Sequence, residues 1–61
     1  MDDDRKFSHD MKNLMGIVIG YSNLLLDELP PEDLRRTDVE QIRKAGERGI
    51  ALLNDWNARR G

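Results

Sequence analysis

Two consecutive prolines, Pro30 and Pro31, interrupt this 61-residue chain at its middle. Proline lacks an amide hydrogen and disfavours helical angles in the residue before it, so one helix cannot continue through the pair. Pro31 suits the first turn of a second helix, and a later start signal with capping-box spacing lies at residues 37–40. We favour the earlier start. The sequence therefore predicts two helices, at about residues 3–28 and 33–59, joined by a loop at about 29–32.

The first half of the chain carries a broad apolar face. Its central positions recur at steps of four and three, the spacing of a helix that packs in a bundle or coiled coil: Phe7, Met11, Leu14, Val18, Tyr21 and Leu25. Further apolar residues widen the face, Ile17 and Leu24 on one side and Met15, Ile19 and Leu26 on the other. The second half has a similar stripe at Val39, Ile42, Gly46, Gly49, Leu53 and Trp56. One partner helix is too narrow to cover the face of the first half.

The small size of the chain points to self-association. A domain of this length buries only roughly 60% of the surface of its unfolded chain, and such domains usually need disulfides, a metal or a partner subunit. The chain has no cysteine and one histidine, which excludes disulfides, thiolate metal sites and a histidine metal cluster. We therefore predict a single all-α domain over residues 1–61, an antiparallel helical hairpin that pairs with a second copy in a homodimeric four-helix bundle.

Charge and hydropathy exclude several classes of function. The net charge is −2, and a nucleic-acid-binding domain of this size normally has a basic surface. The apolar runs are far shorter than the ~20 residues that cross a bilayer, and the basic residues do not cluster as on a membrane-surface helix. Met1 is followed by three aspartates, which does not fit a signal peptide. We expect a cytoplasmic protein without nucleic-acid partners or direct membrane contact.

A second, polar stripe runs along the first helix: His9, Asn13, Gly16, Gly20, Asn23 and Asp27. It is offset by two residues, about 200°, from the apolar face, so it should face away from the core. Glycine inside a helix costs ~1 kcal/mol relative to alanine, so Gly16 and Gly20 call for a reason. One reason is the close approach of a partner's helix. The alternative is that the apolar face holds the helix and the glycines have no role.

His9, Asp10 and Asn13 form the candidate chemical site. Asp10 can accept a hydrogen bond from one ring nitrogen of His9 and make the other nitrogen the better nucleophile. Asn13 lies four residues after His9 on the same face, where its amide can orient a water molecule or a phosphoryl oxygen. The alternative is an ordinary solvated helix face with an incidental histidine.

Residues 7–14, FSHDMKNL, and the following IVIGYSNLL at 17–25 resemble the phospho-acceptor motif of sensor histidine kinases. The segments DVEQIRKA at 38–45 and RGIALLND at 48–55 are similar to the second helix of the same domain, the dimerisation and histidine-phosphotransfer (DHp) domain. The resemblance covers about residues 5–56. Two positions depart from the usual pattern. Leu14 stands where many members have a proline that kinks the helix, and Trp56 replaces a small aliphatic residue.

The resemblance implies roles for individual residues. His9 would accept a phosphoryl group, Asp10 would act as the base, and Asn13 would support dephosphorylation of the partner. The partner would be the receiver domain of a response regulator, docked below the histidine along Gly16, Gly20 and Asn23. It also implies a homodimer.

The chain contains no nucleotide-binding motif, so ATP and Mg²⁺ would be bound by other domains, namely the ATP-binding catalytic domain of the same kinase and the receiver. We therefore expect a part of a histidine kinase that is not active alone. Two alternatives remain open at this point. One is a stand-alone histidine phosphotransfer protein, and the other is a purely structural dimerisation hairpin. Phosphorylation of His9 would separate the structural hairpin from the other two.

Overall fold

The computed structural model describes the backbone of residues 2–60 and the side chains of residues 4–59. It contains two helices, α1 (Asp2–Glu28) and α2 (Arg35–Arg60), and no strand in the described range. The helices pack side by side in opposite directions in a body of 47 × 16 × 11 Å. This confirms the all-α hairpin. α2 begins at Arg35, between the two start signals in the sequence, and the ends of the predicted domain, residues 1 and 61, lie outside the described residues.

The turn between the helices is closed by a side-chain cap on α2. Asp33 Oδ1 accepts a hydrogen bond from the backbone N–H of Arg35 at 2.9 Å, as a residue preceding a helix typically does. The guanidinium of Arg35 also donates to both carboxylate oxygens of Asp33, at 3.0 and 2.7 Å. These hydrogen bonds from Arg35 stabilise the charged carboxylate and lower the pKa of Asp33 from 3.8 to about 2.

The end of α1 is capped from the opposite helix. α1 has no basic residue in its last turn, although the last carbonyl groups of a helix lack partners within the helix. Arg36 Nη1 supplies them by donating to the carbonyl oxygens of Leu26 and Leu29. The two caps use neighbouring residues, so the turn holds the ends of both helices in one arrangement.

Two glycines of α2 bring the helices close together. A methyl group placed on Gly46 would lie 2.9 Å from Ile19 Cγ1, and one placed on Gly49 would lie 2.9 Å from Met15 Sδ. Real Cβ atoms do not approach that closely, so these two side chains of α1 fill the space that the glycines leave open. Near them, Val39 is buried, and Ser22 is buried with its hydroxyl donating to the carbonyl of Val18 at 2.7 Å. α2 therefore lies close to α1 along this stretch, with the larger side chains of Met15 and Ile19 seated at the two glycines.

The hairpin alone leaves most of the predicted apolar face uncovered. α2 packs on the flank that contains Met15 and Ile19, whereas most of the central positions and the other flank are exposed: Phe7, Leu14, Ile17, Tyr21, Leu24 and Leu25. α2 adds exposed Ile42, Leu52 and Trp56. Helical geometry places both sets on the same side of the hairpin. One face of the hairpin is consequently apolar and open to solvent.

Candidate functional site

His9 lies on the exposed face of α1, about two turns from the start of the helix. Its side chain is 76% exposed. The helix turns by about 100° per residue, so the neighbouring Ser8 points towards α2, where it is 2% exposed, while His9 points away from the space between the helices. The imidazole is therefore accessible to a large partner as well as to a small molecule.

Both polar neighbours of the ring lie on the side of Nδ1. Asn13 Nδ2 is 3.5 Å from His9 Nδ1, at the long limit of a hydrogen bond. Asp10 Oδ1 is 3.9 Å from the same nitrogen, which is an ion-pair distance rather than a hydrogen bond. Both of these contacts are to Nδ1, and neither involves Nε2. The arrangement leaves Nε2 as the nitrogen that an incoming group can reach.

The rest of the polar stripe continues below His9 on the same exposed face. Gly16, Gly20, Asn23 and Asp27 are all exposed. A methyl group on Gly16 or Gly20 would have no heavy atom within 4 Å, in contrast to Gly46 and Gly49 in the helix seam. Packing within the hairpin therefore does not account for Gly16 and Gly20.

The sequence of this chain matches the model of a protein family over most of its length. The model of the His Kinase A (phospho-acceptor) domain, HisKA, matches residues 5–59. The chain belongs to the HisKA family. A search of curated proteins and a search of solved structures each find no significant match.

Sequence reasoning missed one pair of residues at the histidine end of this HisKA domain. Asn57 Nδ2, near the end of α2, donates a 2.8 Å hydrogen bond to Ser8 Oγ, next to His9 in the chain. The signal in the sequence was the spacing of Ser8. It shares a seven-residue repeat with Met15, Ser22 and Leu29, which is the repeat of residues that pack between two helices. The partner of Ser8 could not be deduced, since it depends on the register of the two helices.

The described side chains do not form a metal site. Within residues 4–59 no three histidine, cysteine, aspartate or glutamate side chains are grouped so that they could hold a metal ion.

Neither helix, over the described residues, is long and apolar enough to cross a membrane. The placement of ATP and Mg²⁺ on other domains stays a prediction.

Proposed function

We propose that this chain is the dimerisation and phospho-acceptor domain of a two-component sensor histidine kinase. His9 takes a phosphoryl group from ATP held by the separate catalytic domain of the kinase. It then passes the group to an aspartate of a response-regulator receiver domain. The observation that carries the proposal is the open Nε2 of the single histidine, placed on the exposed face of a HisKA domain.

The two ring nitrogens of His9 have different roles in phosphoryl transfer. The lone pair of Nε2 attacks the γ-phosphorus, an N–P bond forms, and the bond to the β–γ bridging oxygen breaks as ADP leaves. For this attack Nδ1 has to carry the ring proton, so the long contact with the Asn13 amide N–H, which can only donate, has to give way to an acceptor on that side of the ring. Asp10 Oδ1 lies 3.9 Å from Nδ1, and a small rotation of either side chain brings the carboxylate into hydrogen-bond range. Asp10 is then the base that accepts the Nδ1 proton as positive charge develops on the ring.

Asn13 supports a different step in this proposal. Its amide lies 3.5 Å from the ring and carries no charge at any physiological pH. After the phosphoryl group has moved to the receiver, breaking the N–P bond and forming an O–P bond to the aspartate, an amide at this place can orient a water molecule for hydrolysis. We assign Asn13 to dephosphorylation of the receiver.

We place the receiver along Gly16, Gly20 and Asn23. What supports this is the open space over both glycines and their position on the histidine face, about two and three helical turns after His9 along α1. A helix of the receiver could approach the backbone of α1 there. Gly20→Leu should leave phosphorylation of His9 intact and slow transfer to the receiver, as measured by loss of label from the chain. Transfer at the wild-type rate would place the receiver elsewhere.

We propose that two hairpins pair through the open apolar face to form a four-helix bundle. What supports the pairing is the row of exposed Phe7, Leu14, Tyr21 and Leu25, which leaves a single hairpin with little buried apolar surface. Each bundle would present its two histidines outward. Because the phosphoryl donor is ATP and the acceptor is a receiver, we place the domain in the cytoplasm.

Phosphorylation by a HisKA-type catalytic domain and radiolabelled ATP tests the central proposal. The wild-type chain should gain label that is stable to alkali and lost in acid, as expected for phosphohistidine. Since the chain has one histidine, His9→Gln should remove all of that label. It should not change the helical content, because the side chain is exposed. Label that persists in His9→Gln, or its absence from the wild type, would contradict the proposal and favour a structural hairpin.

A further inference from the structure

The histidine end of the hairpin is held together differently from its other parts. At the turn, the chain itself and the Arg36 hydrogen bonds join the helices. Around the middle, Met15 and Ile19 fit against the two glycines of α2. At the histidine end the two helix ends have no covalent connection, and a hydrogen bond between Ser8 and Asn57, residues 49 positions apart, joins the helices next to His9. A polar side-chain pair thus joins the helices where a bundle would usually place apolar residues.

We propose that Ser8 and Asn57 are positioning residues for the phospho-acceptor, an inference that rests on the proposed function. Ser8 and His9 are consecutive in α1, so an anchor on one fixes the direction of the other. The hydroxyl of Ser8 is held against α2 by the amide of Asn57 at 2.8 Å. This fixes the rotation of the first turns of α1 about their axis and directs the ring of His9 outward. Asn57 does not touch the ring and acts through Ser8.

A hydrogen bond sets this rotation more narrowly than an apolar contact would. It has a preferred distance and direction, whereas apolar contacts are not directional. Phosphoryl transfer from a docked catalytic domain needs Nε2 in line with the bond that breaks, and small misplacements of reacting atoms slow such reactions strongly. A small phosphoryl donor in solution, such as phosphoramidate, can approach the exposed ring from many directions. Loss of the Ser8–Asn57 pair should therefore slow phosphorylation by the catalytic domain and leave phosphorylation by phosphoramidate unchanged.

The experiment compares the two donors on the same variants. Ser8→Ala and Asn57→Leu each remove the hydrogen bond, the second with little change in side-chain size. Asn57→Asp keeps an acceptor for the Ser8 hydroxyl and should restore function. Asn54→Leu is the matched control, because Asn54 is exposed one turn earlier on α2 and makes no hydrogen bond to Ser8. Phosphorylation is measured with phosphoramidate and with ATP plus a HisKA-type catalytic domain chosen because it phosphorylates the wild-type chain.

We expect Ser8→Ala and Asn57→Leu to lower the maximal rate with the catalytic domain by roughly fivefold, the effect of one lost hydrogen bond. The double variant should be no slower than either single variant, since the same bond is lost. The rates with phosphoramidate, and all rates of Asn54→Leu, should match the wild type.

Three results would overturn the inference: wild-type rates in both single variants, equal slowing with both donors, or equal slowing in Asn54→Leu. Circular dichroism checks folding of each variant. If Asn57→Leu loses helicity, Ser8→Ala decides, because it removes a single oxygen atom. Failure of the proposed function looks different: the wild-type chain would take no label from ATP with any HisKA-type catalytic domain, whatever it takes from phosphoramidate, and the inference would fall with it.

Discussion

The guanidinium of Arg36 donates across the turn to the carbonyl oxygen of Leu29 at 3.0 Å and also reaches the carbonyl of Leu26. A residue of α2 thus completes the hydrogen bonding of α1. Leu26 lies in the last turn of α1 and Leu29 directly follows the helix, and the carbonyl groups of both accept from this one side chain.

Replacing Arg36 with alanine should destabilise the hairpin by about 1–3 kcal/mol, because hydrogen bonds to a charged group are lost and half-buried carbonyls are left with water only. The stability of Arg36→Lys should lie between those of the alanine variant and the wild type. An ammonium group keeps the charge but lacks the planar set of donors of a guanidinium. Thermal unfolding followed by circular dichroism, at one fixed protein concentration, measures both. An alanine variant as stable as the wild type would show that solvent satisfies these carbonyls equally well.

The Asp33 cap should make stability depend on pH in the acid range. Hydrogen bonds from Arg35 lower the pKa of Asp33 from 3.8 to about 2 in the folded chain. A carboxylate with a depressed pKa stabilises the fold above its unfolded value and loses this contribution as the pH falls through the folded value. Melting temperatures of the wild type should therefore fall between about pH 4 and pH 2 by more than those of Asp33→Asn. Parallel curves for the two proteins would contradict the cap.

Gly20 and Gly46 should respond to replacement by alanine in opposite ways. Gly20→Ala should stabilise the helix by up to ~1 kcal/mol, since its surroundings are open and alanine favours the helix. Gly46→Ala gains the same propensity but meets Ile19 Cγ1 at 2.9 Å, with the carbonyl oxygen of Met15 at 3.6 Å. Overpacking of this kind costs roughly 1–3 kcal/mol, so we expect a net loss.

Gly49→Ala gives the intermediate case, because its close contact is the flexible thioether of Met15. Chemical denaturation of Gly20→Ala, Gly46→Ala and Gly49→Ala at one protein concentration gives the order of their free energies of unfolding. The same sign of change at Gly20 and Gly46 would mean that α1 and α2 lie further apart than the contact of Ile19 with Gly46 implies.

Pairing through the apolar face should be lost when a charge is introduced there. Leu25 is 45% exposed in one hairpin, so aspartate at this position is tolerated by the hairpin but would be buried unpaired in a dimer. Asn23→Asp adds the same charge on the polar stripe and is the control. Light scattering after size exclusion should give a dimer for the wild type and for Asn23→Asp. A dimeric Leu25→Asp variant, or a well-folded monomeric wild type, would show that this face does not pair.

Asp10 and Asn13 should affect different reactions. Asp10→Asn removes the base and should mainly slow phosphorylation of His9, by the 10²-fold or more typical of lost general base catalysis. Asn13→Ala should mainly slow removal of phosphate from the receiver. Both side chains are exposed, so neither change should alter the melting temperature much. Autophosphorylation and receiver dephosphorylation, measured in the full kinase, separate the two roles. Equal loss of both rates would mean that the two residues act as one unit.

The sequence predicted the helices and the exposed histidine well because both depend on local information. The consecutive prolines Pro30 and Pro31 interrupt a helix through their own backbone chemistry. The spacing of the apolar residues shows that His9 does not lie on the apolar face of α1. The contacts between the helices depend on register, which a single sequence does not give. The apolar positions with the strongest periodicity, such as Leu14 and Tyr21, are not the ones that α2 covers. The residues that meet across the seam are less conspicuous, Met15 with Gly49 and Ser8 with Asn57.

The contacts of Met15 with Gly49 and of Ile19 with Gly46 have a mechanical consequence. To slide α1 along α2 by even one residue, about 1.5 Å, both side chains would have to leave the gaps that the glycines provide and press against the neighbouring backbone. These two contacts therefore oppose sliding of α1 along α2. We expect a displacement of α1 along its axis to carry α2 with it.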